Sequence, residues 1–317
     1  MIRSPGRIGA QTGFWILLIG LAPVVAEAAE RPDWAFPVTD KVQPQSTSDY
    51  AEPKTPPGST KSYTREQIDD LSNPPDWYPE LHPPMPQVVA HGTKTFACGS
   101  CHLPTGTGHD ESAYVVALPA SYFVQQMGDF KSGARKGFGL MPSIAQALSD
   151  EEIQSAAAYF ASLTARPWVR VVETDTVPKT YVAPGNIRLR LPNAGTEPIG
   201  NRIVELPEDE EIVLNRDPRS GFVAYVPTGS IAKGEALVAT GGGKTTQCAI
   251  CHGPTLRGLG GAPPIAGRHA SYIVRQLYFF QDGSRSGPSA APMQGVVQNL
   301  GVDDMVAITA YVAAREP

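Results

Sequence analysis

One short motif occurs twice in this chain, and its surroundings repeat with it. Cys98-Gly-Ser-Cys101-His102 is matched by Cys248-Ala-Ile-Cys251-His252 at an offset of 150 residues. The same offset pairs Pro104 with Pro254, Ser121-Tyr122-Phe123-Val124 with Ser271-Tyr272-Ile273-Val274, Gln126 with Gln276 and Phe130 with Phe280. It also pairs Gly133 and Arg135 with Gly283 and Arg285. Two more residues then enter the second copy. At an offset of 152, Met141 meets Met293, Leu148 meets Leu300 and Tyr159 meets Tyr311. Such repetition means two copies of one fold, and 317 residues leave room for roughly two domains.

Each copy reads as helical. Phe123, Met127 and Phe130, and likewise Ile273, Leu277 and Phe280, recur at i, i+4 and i+7, the spacing of one buried helix face. Ser149 followed by Glu152 predicts a capping box opening a last helix, with Ile153, Ala157 and Phe160 along one side. Met305, Thr309 and Val312 do the same in the second copy.

The flanks differ in kind. Arg3 and Arg7 precede a 13-residue apolar run, Phe14–Ala26, and Ala26-Glu27-Ala28 supplies a small-x-small cleavage site. This predicts a signal peptide over 1–28 and export to the periplasm, the run being short of the roughly 20 residues that span a bilayer. An uncleaved amino-terminal anchor is the alternative, and no stable membrane insertion is expected after cleavage. Twelve prolines fall within residues 31–86, so 29–87 reads as an extended leader. Trp34, Phe36, Trp77 and Tyr78 predict that part of it wraps a globular surface. Between the copies, 166–228 reads as an extended linker with short strands, from Val169-Arg-Val-Val172 and Phe222-Val-Ala-Tyr-Val226. The repeated units are then 88–165 and 229–317.

A lone C-x-x-C pair is compatible with a disulfide, a redox couple or half of a zinc site. Here a histidine follows each pair directly, which is the signature of covalent haem attachment. On a helix, i and i+3 share a face, so two thiols reach the two vinyl groups of one haem, and the histidine at i+4 points at the iron. Zinc would leave both histidine adjacencies unexplained. Two haem c groups are therefore expected on Cys98 and Cys101 and on Cys248 and Cys251, with His102 and His252 as proximal ligands. The repeat also sorts the methionines. Met127 aligns with Leu277 and Met305 with Ile153, which makes both core residues, whereas Met141 and Met293 align with each other. Each is expected in a loop before the last helix, as the sixth iron ligand. His82, His91, His109 and His269 have no aligned partner and read as surface or loop histidines.

With these residues in place, the chain resembles class I c-type cytochromes, and most closely the tandem dihaem cytochrome c4 type. Pro263-Pro-Ile-Ala-Gly-Arg268 and Tyr272–Arg285 add to the likeness. The resemblance implies an all-α fold of two small bundles, each enclosing a haem ligated by His and Met. It also implies a carbonyl near Pro263 accepting the proximal histidine N–H, and Arg268 near a haem propionate. The first copy departs at both points, with Ala113 opposite Pro263 and Leu118 opposite Arg268.

Sealed His–Met iron suits one-electron exchange rather than substrate turnover. The expected function is a periplasmic electron carrier, not an enzyme, between a donor dehydrogenase or quinol-oxidising complex and an acceptor oxidase. A dihaem peroxidase, a sulfur-compound oxidoreductase or a cytochrome subunit of a dehydrogenase complex are the other readings. The 26 basic and 31 acidic residues give a net charge of −5, which speaks against nucleic acid and for a basic partner.

Overall fold

A computed structural model describes residues 1–2, 31–44, 50–137 and 139–317. The expected export signal falls almost wholly outside the described residues.

The two repeated units are built alike. Each has a short motif helix, Cys98–His102 and Ala249–His252, then a long helix, Ala120–Ser132 and Ala270–Gln281. A seven-residue helix follows, Met141–Ala147 and Ala291–Val297, and then a last helix, Asp150–Ser162 and Val302–Ala313. The long helices stop at Gly133 and just before Gly283, whose φ values of 77° and 74° suit a residue without a Cβ. The last helix of the first copy opens on the expected capping box. Ser149 Oγ accepts from the Glu152 amide, and Glu152 Oε2 accepts from the Ser149 amide at 2.8 Å. The core follows the sequence periodicity: Met127, Phe130, Ile153, Ala157 and Phe160 are buried in one unit, and Leu277, Phe280, Met305, Thr309 and Val312 in the other.

The second unit has an additional helix, Ser230–Thr240, packed against Val302–Ala313. Gly234 is the point of closest approach: a Cβ there would lie 1.9 Å from the Ala307 carbonyl oxygen. Its counterpart in the first unit is a single turn, Gln87–Ala90.

Residues 166–228 are a folded β layer rather than an extended linker. Val169–Glu173 pairs in parallel with Phe222–Val226, which pairs antiparallel with Val204–Pro207. Two short ladders, Thr176–Pro178 with Thr196–Pro198 and Thr180–Val182 with Arg188–Arg190, extend it. Val177, Ile199, Val204 and Leu206 form its own small core. Strands of three residues broken by Pro and Gly carry too little period-2 signal to be read in advance.

The leader is stitched to all three parts. Phe36 packs edge-on against Tyr278 and Phe279 of the second unit, at centroid distances of 5.8 and 5.4 Å. Asp40 and Val182 exchange two hydrogen bonds with the β layer, at 2.9 and 2.7 Å. Trp77 is buried, and its Nε1 donates to the Asn215 carbonyl at 2.8 Å. Leu71 then reaches the first motif, where its carbonyl accepts from the Ala97 amide and from Ser100 Oγ.

Candidate haem sites and the boundary between the copies

In each unit the motif helix fixes an imidazole from behind. His102 Nδ1 donates to the Ala113 carbonyl at 2.8 Å, and His252 Nδ1 donates to the Pro263 carbonyl at 2.8 Å. A carbonyl can only accept, so the proton sits on Nδ1 and Nε2 is left as a free lone pair. Ala113 thus does in the first copy what Pro263 does in the second, because the contact uses main chain rather than side chain. Burial pushes His102 down to about 4, and it also lowers His252. Both rings are therefore neutral at physiological pH, as a metal ligand must be.

The four thiols are free in this structure. Burial pushes Cys98 up to about 12 and Cys248 up to about 11. A redox C-x-x-C pair needs its thiol lowered, not raised. A zinc site fares no better: among the described residues no three His, Cys, Asp or Glu side chains converge as metal ligands. Neither a redox couple nor a zinc site finds support among the described residues.

Cys98, Cys101, His102 and Met141 line one cavity of about 1780 Å³, well beyond the roughly 300–1,000 Å³ of ordinary ligand pockets. A haem fits this donor set: two thiols and an unprotonated imidazole nitrogen on one wall, a thioether among the rest. Met141 and Met293 are half-buried and pack on the cores of their own units. Both lie within the seven-residue helices rather than in loops, Met141 as the first residue and Met293 as the third. Each helix begins one residue before its own proline, Pro142 or Pro292. The helix start follows the proline, and the methionines fall at different helical positions in consequence.

Arg268 stands at the boundary between the two copies. It is buried, and its Nη1 donates to the Tyr114 and Val116 carbonyls of the first unit at 3.1 and 3.0 Å. Its guanidinium lies 4.4 Å from the Tyr114 ring centroid. The packing of one copy on the other turns this side chain into a bolt between them. His269 is likewise no surface residue. It is fully buried, with Nδ1 2.6 Å from Glu205 Oε1 and Nε2 3.1 Å from the Thr107 carbonyl.

The sequence reading passed over two arginines. Main-chain hydrogen bonds from the Lys136 amide to Ser284 O and from the Ser286 amide to Ala134 O join the copies, and Arg135 stands opposite Arg285 in this bridge. Arg135 donates to Gln126 Oε1 at 2.9 Å, to Gln276 Oε1 at 2.8 Å and to the Tyr272 hydroxyl at 3.0 Å. Arg285 answers with Gln276 Oε1 at 3.1 Å, Gln126 Oε1 at 2.6 Å and the Tyr122 hydroxyl at 2.6 Å. Both are buried, and among the described residues no carboxylate lies at ion-pair distance from either. Arg135, Gln126, Tyr122 and Tyr272 also line the cavity. Two uncompensated buried cations call for anions. The signal was present in the repeat, which preserves polar Gln and Arg among apolar matches.

Two helical units, each closing a C-x-x-C-H turn against a backbone carbonyl, define a protein of covalently held haem. Comparison with known proteins agrees. Residues 88–160 match the family described as cytochrome c oxidase, cbb3-type, subunit III, and residues 231–315 match cytochrome c. Cytochrome c-554(548) of Halomonas halodenitrificans is 34% identical over 79 residues, covering 25% of this chain and 95% of its own. The thiosulfate dehydrogenase electron acceptor of Stutzerimonas stutzeri is 24% identical over 68% of this chain and 78% of its own. Cytochrome c4 of Pseudomonas aeruginosa is 25% identical over 71% and 87%. A solved thiosulfate dehydrogenase from Marichromatium purpuratum superposes with a TM-score of 0.46 at 25% identity, over 69% of this chain and only 36% of that one. The chain belongs to the cytochrome c family: it is a dihaem, cytochrome c4-like protein of two class I domains in tandem, binding two covalent haem c groups. Among the described residues no helix is long and apolar enough to cross a membrane.

Proposed function

We propose that the chain is an exported periplasmic carrier of single electrons, its haem domains spanning 88–165 and 229–317 after cleavage behind Ala28. Cys98 and Cys101 would bind one haem and Cys248 and Cys251 the other, with His102 and Met141, and His252 and Met293, as axial pairs. The observation that carries this reading is the matched histidine geometry: each Nδ1–H is spent on a carbonyl at 2.8 Å, so only Nε2 is left to bind iron. The bound haem supplies the one-electron chemistry; the chain holds, orients and seals it. Arg135 and Arg285 would receive propionate oxygens at the boundary of the two domains and neutralise them. Two axial ligands per iron leave no position for substrate, which favours a carrier over a peroxidase.

Relatives named as electron acceptors of thiosulfate dehydrogenase favour one donor in particular. We infer a dehydrogenase of reduced sulfur compounds as the donor and an oxidase as the acceptor. A redox titration of the purified protein with visible and near-infrared spectra tests the reading. Two low-spin haems, each with the far-red sulfur-to-iron band, are expected. A high-spin resting haem would replace the carrier by an enzyme.

A further inference from the structure

A short helix of the β layer, Glu210–Leu214, stops on a residue that such an end rarely uses. The Arg216 amide donates to the Val213 carbonyl at 2.9 Å, and the Asp217 amide donates to the Ile212 carbonyl at 3.1 Å. These are the two hydrogen bonds of a glycine-type helix stop, with Arg216 at the glycine position. Its φ is 55°, a left-handed conformation that disfavours any residue with a Cβ. Glycine would serve the backbone better; what arginine adds is its side chain.

That side chain runs to the first motif. Arg216 Nε donates to the Ile68 carbonyl of the leader at 2.9 Å, and Nη1 donates to the Ser100 carbonyl within Cys98–His102. Arg216 also lines the cavity shared by Cys101 and His102. Its charge is felt at Cys101 and at His109. A guanidinium stays protonated, and among the described residues no carboxylate lies at ion-pair distance from this one. The acids around it are engaged by other arginines: Asp69 by Arg65 at 2.5 Å, Asp217 by Arg219 at 2.6 Å, and Glu111 by Arg275. The second motif meets water instead. Ser100 is fully buried, whereas the aligned Ile250 is 62% exposed and Cys251 is exposed beside it.

Cys101 holds the first haem covalently, so a charge fixed on the carbonyl preceding Cys101 is fixed beside that haem. An unpaired cation there opposes the extra positive charge of ferric iron, and withdrawal of the site from water acts in the same sense. We propose that Arg216 raises the midpoint potential of the first haem above that of the second, so that the first electron taken up by the oxidised chain settles in the first domain. The β layer is then a tuning element as well as a spacer. The inference rests on the two-haem reading and on the axial methionines proposed above. Each uptake is one electron, ferric to ferrous iron, and no bond changes.

The test is a spectroelectrochemical titration of the full holoprotein, with the electrode as electron source. In Met293→Ala the surviving far-red band reports the first haem alone. It is expected to bleach at the higher of the two native midpoints, and the band surviving in Met141→Ala at the lower. The reverse order would overturn the proposal. Arg216→Gln keeps a donor and removes the charge. It is expected to shift the first haem's equilibrium toward ferric about tenfold, which is about 59 mV for a one-electron couple, and to leave the second haem in place. Arg216→Gly, which relaxes the left-handed turn, is expected to match it. Arg216→Lys keeps the charge and is expected to hold the native midpoint. A lysine variant that falls as far as the glutamine one would make Arg216 a packing residue. Equal movement of both midpoints, or none, would overturn the proposal as well. If Met293→Ala leaves the far-red band whole, the ligand assignment falls. The visible titration of Arg216→Gln against Arg216→Lys, with both methionines in place, then still decides Arg216: the higher midpoint must fall in the first variant and hold in the second.

Discussion

Arg135 and Arg285 face one another across the boundary of the two domains and divide the same two acceptors, Gln126 and Gln276. Arg285 also adds to the lowering of His252 by burial. A buried cation beside a haem favours the ferrous state, which carries one positive charge fewer. Arg135→Gln and Arg285→Gln are therefore expected to lower the midpoint potentials, by tens of millivolts, in a spectroelectrochemical titration. Unmoved potentials would mean that neither guanidinium faces a haem.

Met141→Ala and Met293→Ala should each remove about half of the far-red band of the ferric protein, because each takes away one of two sulfur ligands. A band that survives intact would reject the methionine replaced and direct attention to Met127 or Met85 in the first unit, or to Met305 in the second, which pack on the same cores.

How much of this could be read in advance depended on the kind of interaction. Cys98, His102 and their counterparts were legible because their spacing is itself the chemistry. Phe130 and Phe280 were legible because helical burial is periodic. The β layer was not, since its core of Val177, Ile199, Val204 and Leu206 is drawn from strands of three or four residues. The roles of Arg268 and His269 escaped for another reason. Both are decided by contacts more than 60 residues away in sequence, to Tyr114 and to Glu205.

Gly234→Ala should destabilise the second domain by about 1–3 kcal/mol, because the added methyl would meet the Ala307 carbonyl at 1.9 Å. Thermal unfolding of the holoprotein measures it. The equivalent change at Gly128, with nothing within 4 Å, should be tolerated or slightly stabilising.

Asp110 makes stability fall as pH rises. Burial, with the nearby Glu205 charge, pushes its carboxyl up from 3.8 to about 7. Between those values the folded chain keeps a proton that the unfolded chain has released, so each step upward in pH favours unfolding. The loss begins near pH 4 and is complete above about pH 7. Asp110→Asn should flatten this part of the stability profile, as followed by chemical denaturation at a series of pH values. An identical slope in the variant would show that the carboxyl is ionised in the fold.

The pairing of Val169–Glu173 with Phe222–Val226 is parallel, so the polypeptide passes along this ribbon twice in one direction and must double back in between. Neighbouring strands of that kind cannot zip from a hairpin; they wait for a long excursion to be completed. Val169–Glu173 therefore waits for Phe222–Val226, about fifty residues further on, before this ribbon can close.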